Sequence, residues 1–266
     1  MPADRAGWTE GGGVSLRFRI SGEGSKSLIL FHGLTGTLET WDPLIPTLSS
    51  GFRILRADQR GAGQSEKVRQ PYTLADLVHD AEQVIEAAGL APPYYVGGIA
   101  SGTAIALAYA DRRPDAVAAL ALCAPALRTE ATRVRAMMER SERAARDGMR
   151  AIADETIARS YPAHMAHDQD GYRAYRSSFL AIDPVAYGHA NRVLSAVDLE
   201  GAMASLPQPV LLIAGAHDLL RPPDAVRPLQ AAFRHGEMIT LATCHQMALH
   251  APEAVANAML TFFHRH

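Results

Sequence analysis

The stretch that constrains this chain most is Val96-Gly97-Gly98-Ile99-Ala100-Ser101-Gly102-Thr103. The apolar run Tyr94-Tyr95-Val96 leads into it as a strand, and the small-residue run Thr103-Ala104-Ile105-Ala106-Leu107-Ala108-Tyr109-Ala110 leads out of it as a helix. A tight turn between strand and helix, with glycines two residues either side of its apex, is the setting in which a single side chain is held out as a nucleophile. Gly98 and Gly102 supply the flanks, and the apex between them is Ala100. Alanine carries no hydroxyl, thiol or carboxylate, so the frame is present and its central atom is not.

The rest of the chain sets the fold around that turn. Val14 to Ile20 alternates apolar and polar residues as a half-buried strand does. Leu28-Ile29-Leu30-Phe31, Phe52 to Ala57, Val117 to Cys123 and Pro209 to Ala214 are the continuous apolar runs of strands covered on both faces. Helices separate them. Thr73 with Asp76 reads as a capping box opening a helix that runs to Gly89, and a final helix is predicted from about Pro252 to Phe263. Strands alternating with helices imply an α/β fold with a mostly parallel, doubly wound sheet.

From Pro125 to about Ser205 the alternation stops, and arginine, glutamate and alanine replace the strand signal, punctuated by Gly148, Pro162 and Pro184. This divides the chain into a core of residues 1–124 and 206–266 and a helical insertion of residues 125–205. The insertion is expected over the carboxyl edge of the sheet, where open α/β sheets bind ligands.

Composition narrows the partners. The formal net charge of −2 argues against nucleic acid or an anionic membrane. No apolar run approaches the roughly 20 residues of a membrane span. Met1 to Gly13 is polar and glycine-rich, unlike a signal peptide. Cys123 and Cys244 are too few for a disulfide framework, so a reducing cytoplasm is the expected setting and a small molecule the expected partner. The sequence does not set the oligomeric state.

Four segments, in order, resemble the α/β-hydrolase superfamily over nearly the whole chain. They are His32-Gly33 after an early strand, Asp58-x-Arg60-Gly61-x-Gly63-x-Ser65, the Gly98-x-Ala100-x-Gly102 turn, and Gly215-Ala216-His217-Asp218 followed by Cys244-His245. Within the superfamily, Gly148 to Asp154, Val197-Asp198-Leu199 and Ile213 to Asp218 are similar to the 3-oxoadipate enol-lactonases and neighbouring small esterases. The resemblance implies an α/β-hydrolase fold with a helical cap.

It also implies a set of roles. Ala100 stands in the nucleophile's position, His245 is the candidate general base, and Asp218 is the candidate acid that orients it. The bland alternatives are an incidental loop histidine and a turn aspartate. The backbone N–H groups of Leu34 and Ser101 are the candidate oxyanion donors. His32, Gly33, Met138, Tyr161 and Tyr187 are candidates to border the substrate, although His32 also reads as a residue that hydrogen-bonds within its loop. Ser101 starts the helix, and its hydroxyl reads as a helix-start group rather than a substitute nucleophile. Cys123 reads as core packing, and Cys244 is adjacent to the histidine in sequence only. His164-x-x-His167-Asp168 lacks a third well-spaced ligand and reads as a solvated loop. Arg133, Arg135 and Arg140 recur with Glu139 and Glu142 as a solvated helix face, with capture of a substrate carboxylate as the sharper alternative.

Two readings of Ala100 stay open. In one, alanine replaces a nucleophilic serine and silences a hydrolase of small carboxylic esters or lactones, leaving it able to trap substrate. The intact histidine and aspartate segments favour it. In the other, alanine is natural, and the fold runs His–Asp chemistry such as lyase, carbon–carbon or cofactor-free oxygenase reactions, or binds a small ligand. The hydrolytic chemistry needs no metal or organic cofactor.

Overall fold

The continuous apolar runs become the middle of one eight-stranded sheet. In the computed structural model, which describes residues 4–266, the chain begins with β1 (Asp4–Thr9), β2 (Leu16–Ser21) and β3 (Lys26–Phe31). A 3₁₀ segment (Leu38–Leu44) and a one-turn α1 (Ile45–Leu48) lead to β4 (Phe52–Ala57). Then follow α2 (Leu74–Ala88), β5 (Tyr94–Ile99), α3 (Gly102–Arg112) and β6 (Val117–Cys123). Five helices come next: α4 (Ala131–Asp147), α5 (Arg150–Ser160), α6 (Gln169–Leu180), α7 (Pro184–Ser195) and α8 (Glu200–Ser205). β7 (Val210–Gly215), α9 (Pro223–Ala232), β8 (Gly236–Leu241), α10 (Met247–His250) and α11 (Pro252–Phe263) complete the chain.

The strand order is β1-β2-β4-β3-β5-β6-β7-β8. β1, β2 and β4 pair antiparallel, and every pairing from β4 onward is parallel. Because side chains alternate across a strand, each central strand feeds two cores. In β6, Leu120 and Leu122 pack with Leu77 and Val84 of α2 and Ile105 of α3, while Ala119, Ala121 and Cys123 pack with Trp41, Met247, Val255 and Met259 on the other face. This two-sided burial is why β5, β6 and β7 read as unbroken apolar runs.

β1 was not legible. Residues 1–13 read as polar and glycine-rich, yet Asp4–Thr9 pairs with β2 in antiparallel register, Gly7 opposite Phe18. An edge strand with one free side needs no apolar face, and Trp8 stays exposed. The helix starts fared better. Thr73 caps α2 by accepting from the Asp76 N–H at 3.2 Å, and Asp76 returns the bond to the Thr73 N–H at 2.7 Å. Gly89, in the left-handed region at φ 65°, ends the helix.

The helices between β6 and β7 have a third core of their own, built on Ile152, Ile157, Tyr175, Phe179 and Tyr187. It meets the rest of the molecule through Leu34, Cys244 and Leu249.

Candidate active site

The turn after β5 is fixed by close backbone contacts. A Cβ on Gly98 would lie 2.6 Å from the Gly102 carbonyl oxygen, and one on Gly102 would lie 2.3 Å from that of Phe31 and 2.5 Å from that of His32. Only glycine allows α3 to start so close to both strands. Ala100, at the apex, has φ +50°. For a residue with a Cβ this left-handed conformation costs about 1–2 kcal/mol, so its surroundings must hold it. The Ala100 N–H donates to the Cys123 carbonyl at 2.9 Å, and the Ala100 carbonyl accepts from the Thr103 N–H at 3.1 Å and the Thr103 hydroxyl at 2.6 Å. That hydroxyl in turn accepts from the Ala126 N–H at 2.9 Å.

The loop after β3 comes against this apex. A Cβ on Gly33 would sit 3.2 Å from the Ala100 Cβ. His32 anchors the loop: its Nδ1–H donates to the Gly33 carbonyl at 2.8 Å, and its Nε2 accepts from the Gln59 N–H at 3.1 Å. The Gln59 amide returns a bond to the His32 carbonyl at 2.7 Å. Both ring nitrogens are spent on the fold, and burial pushes the imidazole pKa below its ordinary value. The side chain therefore braces the loop, and substrate contact is not open to its ring nitrogens. The N–H groups of Leu34 and Ser101 donate to no acceptor among the described residues. Both residues border the same cavity as Ala100.

Asp218 and His245 come from the loops after β7 and β8. The Asp218 carboxylate is fully buried. Its Oδ1 accepts from the N–H groups of Leu220 at 2.7 Å and Arg221 at 2.9 Å, which aims Oδ2 at His245. The His245 Nδ1–H donates to Oδ2 at 2.8 Å. With the proton on Nδ1, the bare Nε2 has no partner among the described residues, and His245 borders the cavity. A histidine in that tautomer can take a proton from a group in front of it.

Ala100, Gly33, Leu34, Ser101, His245 and Tyr187 thus surround one cavity of about 400 Å³, walled on its far side by α4, α5 and α7. Two substrate candidates lie elsewhere. Met138 does not border the cavity: Thr132, Arg133, Ala136, Met137 and Arg140 form the lining face of α4, and Met138 lies a step round from it. Tyr161 is buried among Tyr172, Tyr175 and His250, at ring distances of 5.4, 6.0 and 6.1 Å. It packs the helical insertion.

Ser101, the two cysteines and the acidic and histidine side chains are placed as follows. Ser101 has helical backbone, φ −60°, and its hydroxyl caps nothing. Cys123 and Cys244 are fully buried, and desolvation pushes their thiols up to about 12 and about 11, so neither supplies a thiolate. Among the described residues no three His, Cys, Asp or Glu side chains are grouped to hold a metal ion.

The arginines depart from a uniform solvated face. Arg135 is exposed and pairs with Glu139 at 2.7 Å, whereas Arg133 and Arg140 line the cavity. Arg159 of α5 and Arg221, which were not singled out, join them. The signals were Arg159 lying three and four residues after Thr156 and Glu155 on one helix face, and Arg221 standing in the turn that Asp218 closes. The Tyr187 hydroxyl accepts from the Arg140 Nε–H at 3.0 Å.

Sheet order, the strained turn after β5 and the histidine–aspartate pair after β7 and β8 are those of an α/β hydrolase. A model of the alpha/beta hydrolase fold matches residues 26–252, and the chain belongs to that family of enzymes. Its relatives include the 3-oxoadipate enol-lactonase 1 of Acinetobacter baylyi, 26% identical over 77% of each chain. A RutD protein of Enterobacter cloacae, named for carbamate hydrolysis, is 27% identical over 92% of this chain and 95% of its own. Among solved structures, the enol-lactonase of Burkholderia xenovorans LB400 superposes with a TM-score of 0.91 and 28% identity, covering 97% of this chain and 99% of that one. No helix among the described residues is long and apolar enough to cross a membrane.

Proposed function

We propose that the cavity is the acyl-transfer site of a hydrolase acting on a small carboxylic ester or lactone, with Ala100 occupying the nucleophile's place. The observation that carries this reading is the Ala100 apex, held at φ +50° and opening onto the cavity that His245 also borders. The similarity to enol-lactonases supports the substrate class. With serine at 100, its Oγ attacks the acyl carbon while His245 Nε2 takes the proton. Asp218 holds the Nδ1–H and stabilises the imidazolium. The N–H groups of Leu34 and Ser101 donate to the oxyanion, and the start of α3 adds positive potential there. His245 then protonates the leaving alcohol, and water repeats the sequence on the acyl-serine. The helices of residues 125–205 serve as the cap that selects the substrate.

As written, the chain lacks the attacking atom and retains the binding site, the base and the oxyanion donors. It is expected to bind an ester and turn it over poorly, since losing a triad serine costs on the order of 10⁶ in kcat. The test compares this chain with Ala100→Ser on p-nitrophenyl esters, simple lactones and an enol-lactone, with Ala100→Ser/His245→Ala as control. A gain of about 10³-fold or more that the histidine substitution removes is expected. Equal turnover by both forms would rule the acyl-transfer reading out and leave chemistry based on His245 alone, or ligand binding.

A further inference from the structure

The cavity wall beside His245 is held by a chain of hydrogen bonds centred on one phenol. Tyr175 of α6 is buried, and its hydroxyl meets three side chains from three other segments. It accepts from the Gln246 amide at 3.0 Å and from the Thr35 hydroxyl, and it stands 3.1 Å from the Ser160 Oγ. The Ser160 hydroxyl gives its own proton to the Thr156 carbonyl at 3.0 Å, so towards Tyr175 it is the acceptor. The direction of the chain follows: amide to phenol, phenol to serine, serine to the backbone of α5. With two bonds accepted and one donated, the phenol oxygen is saturated. Burial pushes its pKa up, so it keeps the proton it donates.

The segments that meet there carry the chemistry. Gln246 follows His245, and Thr35 follows Leu34, a candidate oxyanion donor. The Gln246 N–H also donates to the Ser160 carbonyl at 3.1 Å. The N–H and carbonyl of His245 itself have no partner among the described residues. At the ring, Asp218 fixes the imidazole. Along the backbone, the fastening is made one residue on, and both bonds run to the helical insertion: to α5 through Ser160 and to α6 through Tyr175. The apolar seam between the insertion and the core passes the same spot, at Leu34 and Cys244. Thr35, Ser160 and Gln246 border the cavity, so this junction is part of its wall.

We infer that Tyr175 is a positioning residue for the reaction. Its hydroxyl ties the loop bearing the base and the loop bearing the Leu34 N–H to the insertion, so the insertion sets where His245 stands as well as walling the cavity. A base acts only within hydrogen-bond reach of the proton it takes, and a displacement of about 1 Å in its support can cost about a hundredfold in rate. The inference rests on His245 being the base of the acyl-transfer reading and concerns how that base is held.

Tyr175→Phe removes the hydroxyl and keeps the ring in its packing against Tyr161. In Ala100→Ser, with p-nitrophenyl acetate as substrate, it is expected to lower kcat by on the order of tenfold or more while KM changes by less than about twofold. Tyr161→Phe, in the same aromatic group but with a hydroxyl that has no partner among the described residues, is expected to leave both unchanged. Gln246→Leu is expected to reproduce the loss, and Tyr175→Phe/Gln246→Leu to lose no more than either alone, because the two act through one bond. The unaltered chain supplies a readout independent of turnover: the downfield NMR resonance of the His245 Nδ1–H proton, which is expected to shift or broaden in Tyr175→Phe and to stay in place in Tyr161→Phe. Urea melts show that each variant is folded; if Tyr175→Phe is not, Gln246→Leu carries the same two readouts. An unchanged kcat, a loss carried wholly by KM, an unmoved His245 resonance, or losses that multiply in the double variant would each overturn the inference. If Ala100→Ser hydrolyses no ester, the acyl-transfer reading falls, and the resonance alone decides whether Tyr175 positions His245. If Ala100→Ser is active and Tyr175→Phe leaves its kcat unchanged, only the positioning role falls.

Discussion

At Ala100 two energies of similar size oppose each other. A Cβ in the left-handed region costs about 1–2 kcal/mol, and replacing alanine with glycine elsewhere costs roughly 0.5–1 kcal/mol in conformational entropy. Ala100→Gly is therefore expected to leave stability unchanged or raise it by up to about 1 kcal/mol, whereas Ala106→Gly in the middle of α3 is expected to lower it by about 1 kcal/mol. Urea unfolding of the two variants checks the contrast. His32 makes a pH prediction. Its folded pKa lies below the ordinary value near 6.5 because it is buried. Below that pH the unfolded chain takes up a proton that the folded chain refuses, so stability falls as pH drops. Protonation also removes the Nε2 lone pair that accepts from Gln59. Between pH 7.5 and 5.5 the chain is expected to lose stability through this group. His32→Gln should flatten that part of the pH dependence, as read by denaturant melts at the two pH values.

At the scale of elements, one buried carboxylate organises the loops beneath the site. Asp58, just past β4, accepts from the N–H groups of Leu38 and Gln64 at 2.8 Å each and from Arg17 at 3.2 Å. A Cβ on Gly63 would lie 2.2 Å from that carboxyl, so the Asp58–Ser65 motif is the outline of one packed carboxylate. Asp58→Ala leaves Arg17 and two N–H groups short of a partner and is expected to cost about 3 kcal/mol or more in thermal or urea unfolding. The sequence carried this motif in full but not its reason, because Leu38 and Arg17 are far from Asp58 along the chain. The same limit explains the site. The order Ala100, Asp218, His245 was readable, since the first two follow the apolar runs of β5 and β7 and the third stands in the Cys244-His245 segment. Which faces of α4 and α5 meet the cavity was not, because those helices pack through a core of their own. Met138 and Tyr161 looked no different from Met137 and Tyr187 until the helices were placed.

For the whole molecule, two-sided burial sets a gradient of stability. β3, β5, β6 and β7 are covered by helices on both faces and hydrogen-bonded on both edges. α4 and α6 are exposed along half or more of their residues and bury only a few side chains. Hydrogen exchange followed by mass spectrometry is expected to be slowest in the four central strands and faster by orders of magnitude in α4 and α6. Uniform protection across the chain would contradict this. The central strands were also the most legible part of the sequence, for the same reason: a strand buried on both faces can only be apolar. β1 lay at the opposite extreme, an edge element whose pairing depends on β2 rather than on its own residues.

The crowding around the turn after β5 bears on inheritance as well as on chemistry. Gly98 and Gly102 are pinned by backbone atoms under 3 Å from any Cβ they could carry, while residue 100 points into open space. A library of substitutions sorted only for folded protein would admit almost nothing but glycine at 98 and 102 and would admit several small side chains at 100. Selection for folding therefore preserves the socket and is blind to what occupies it. A lineage can lose its reacting atom, keep every part that once served it, and regain it by a single exchange at one position.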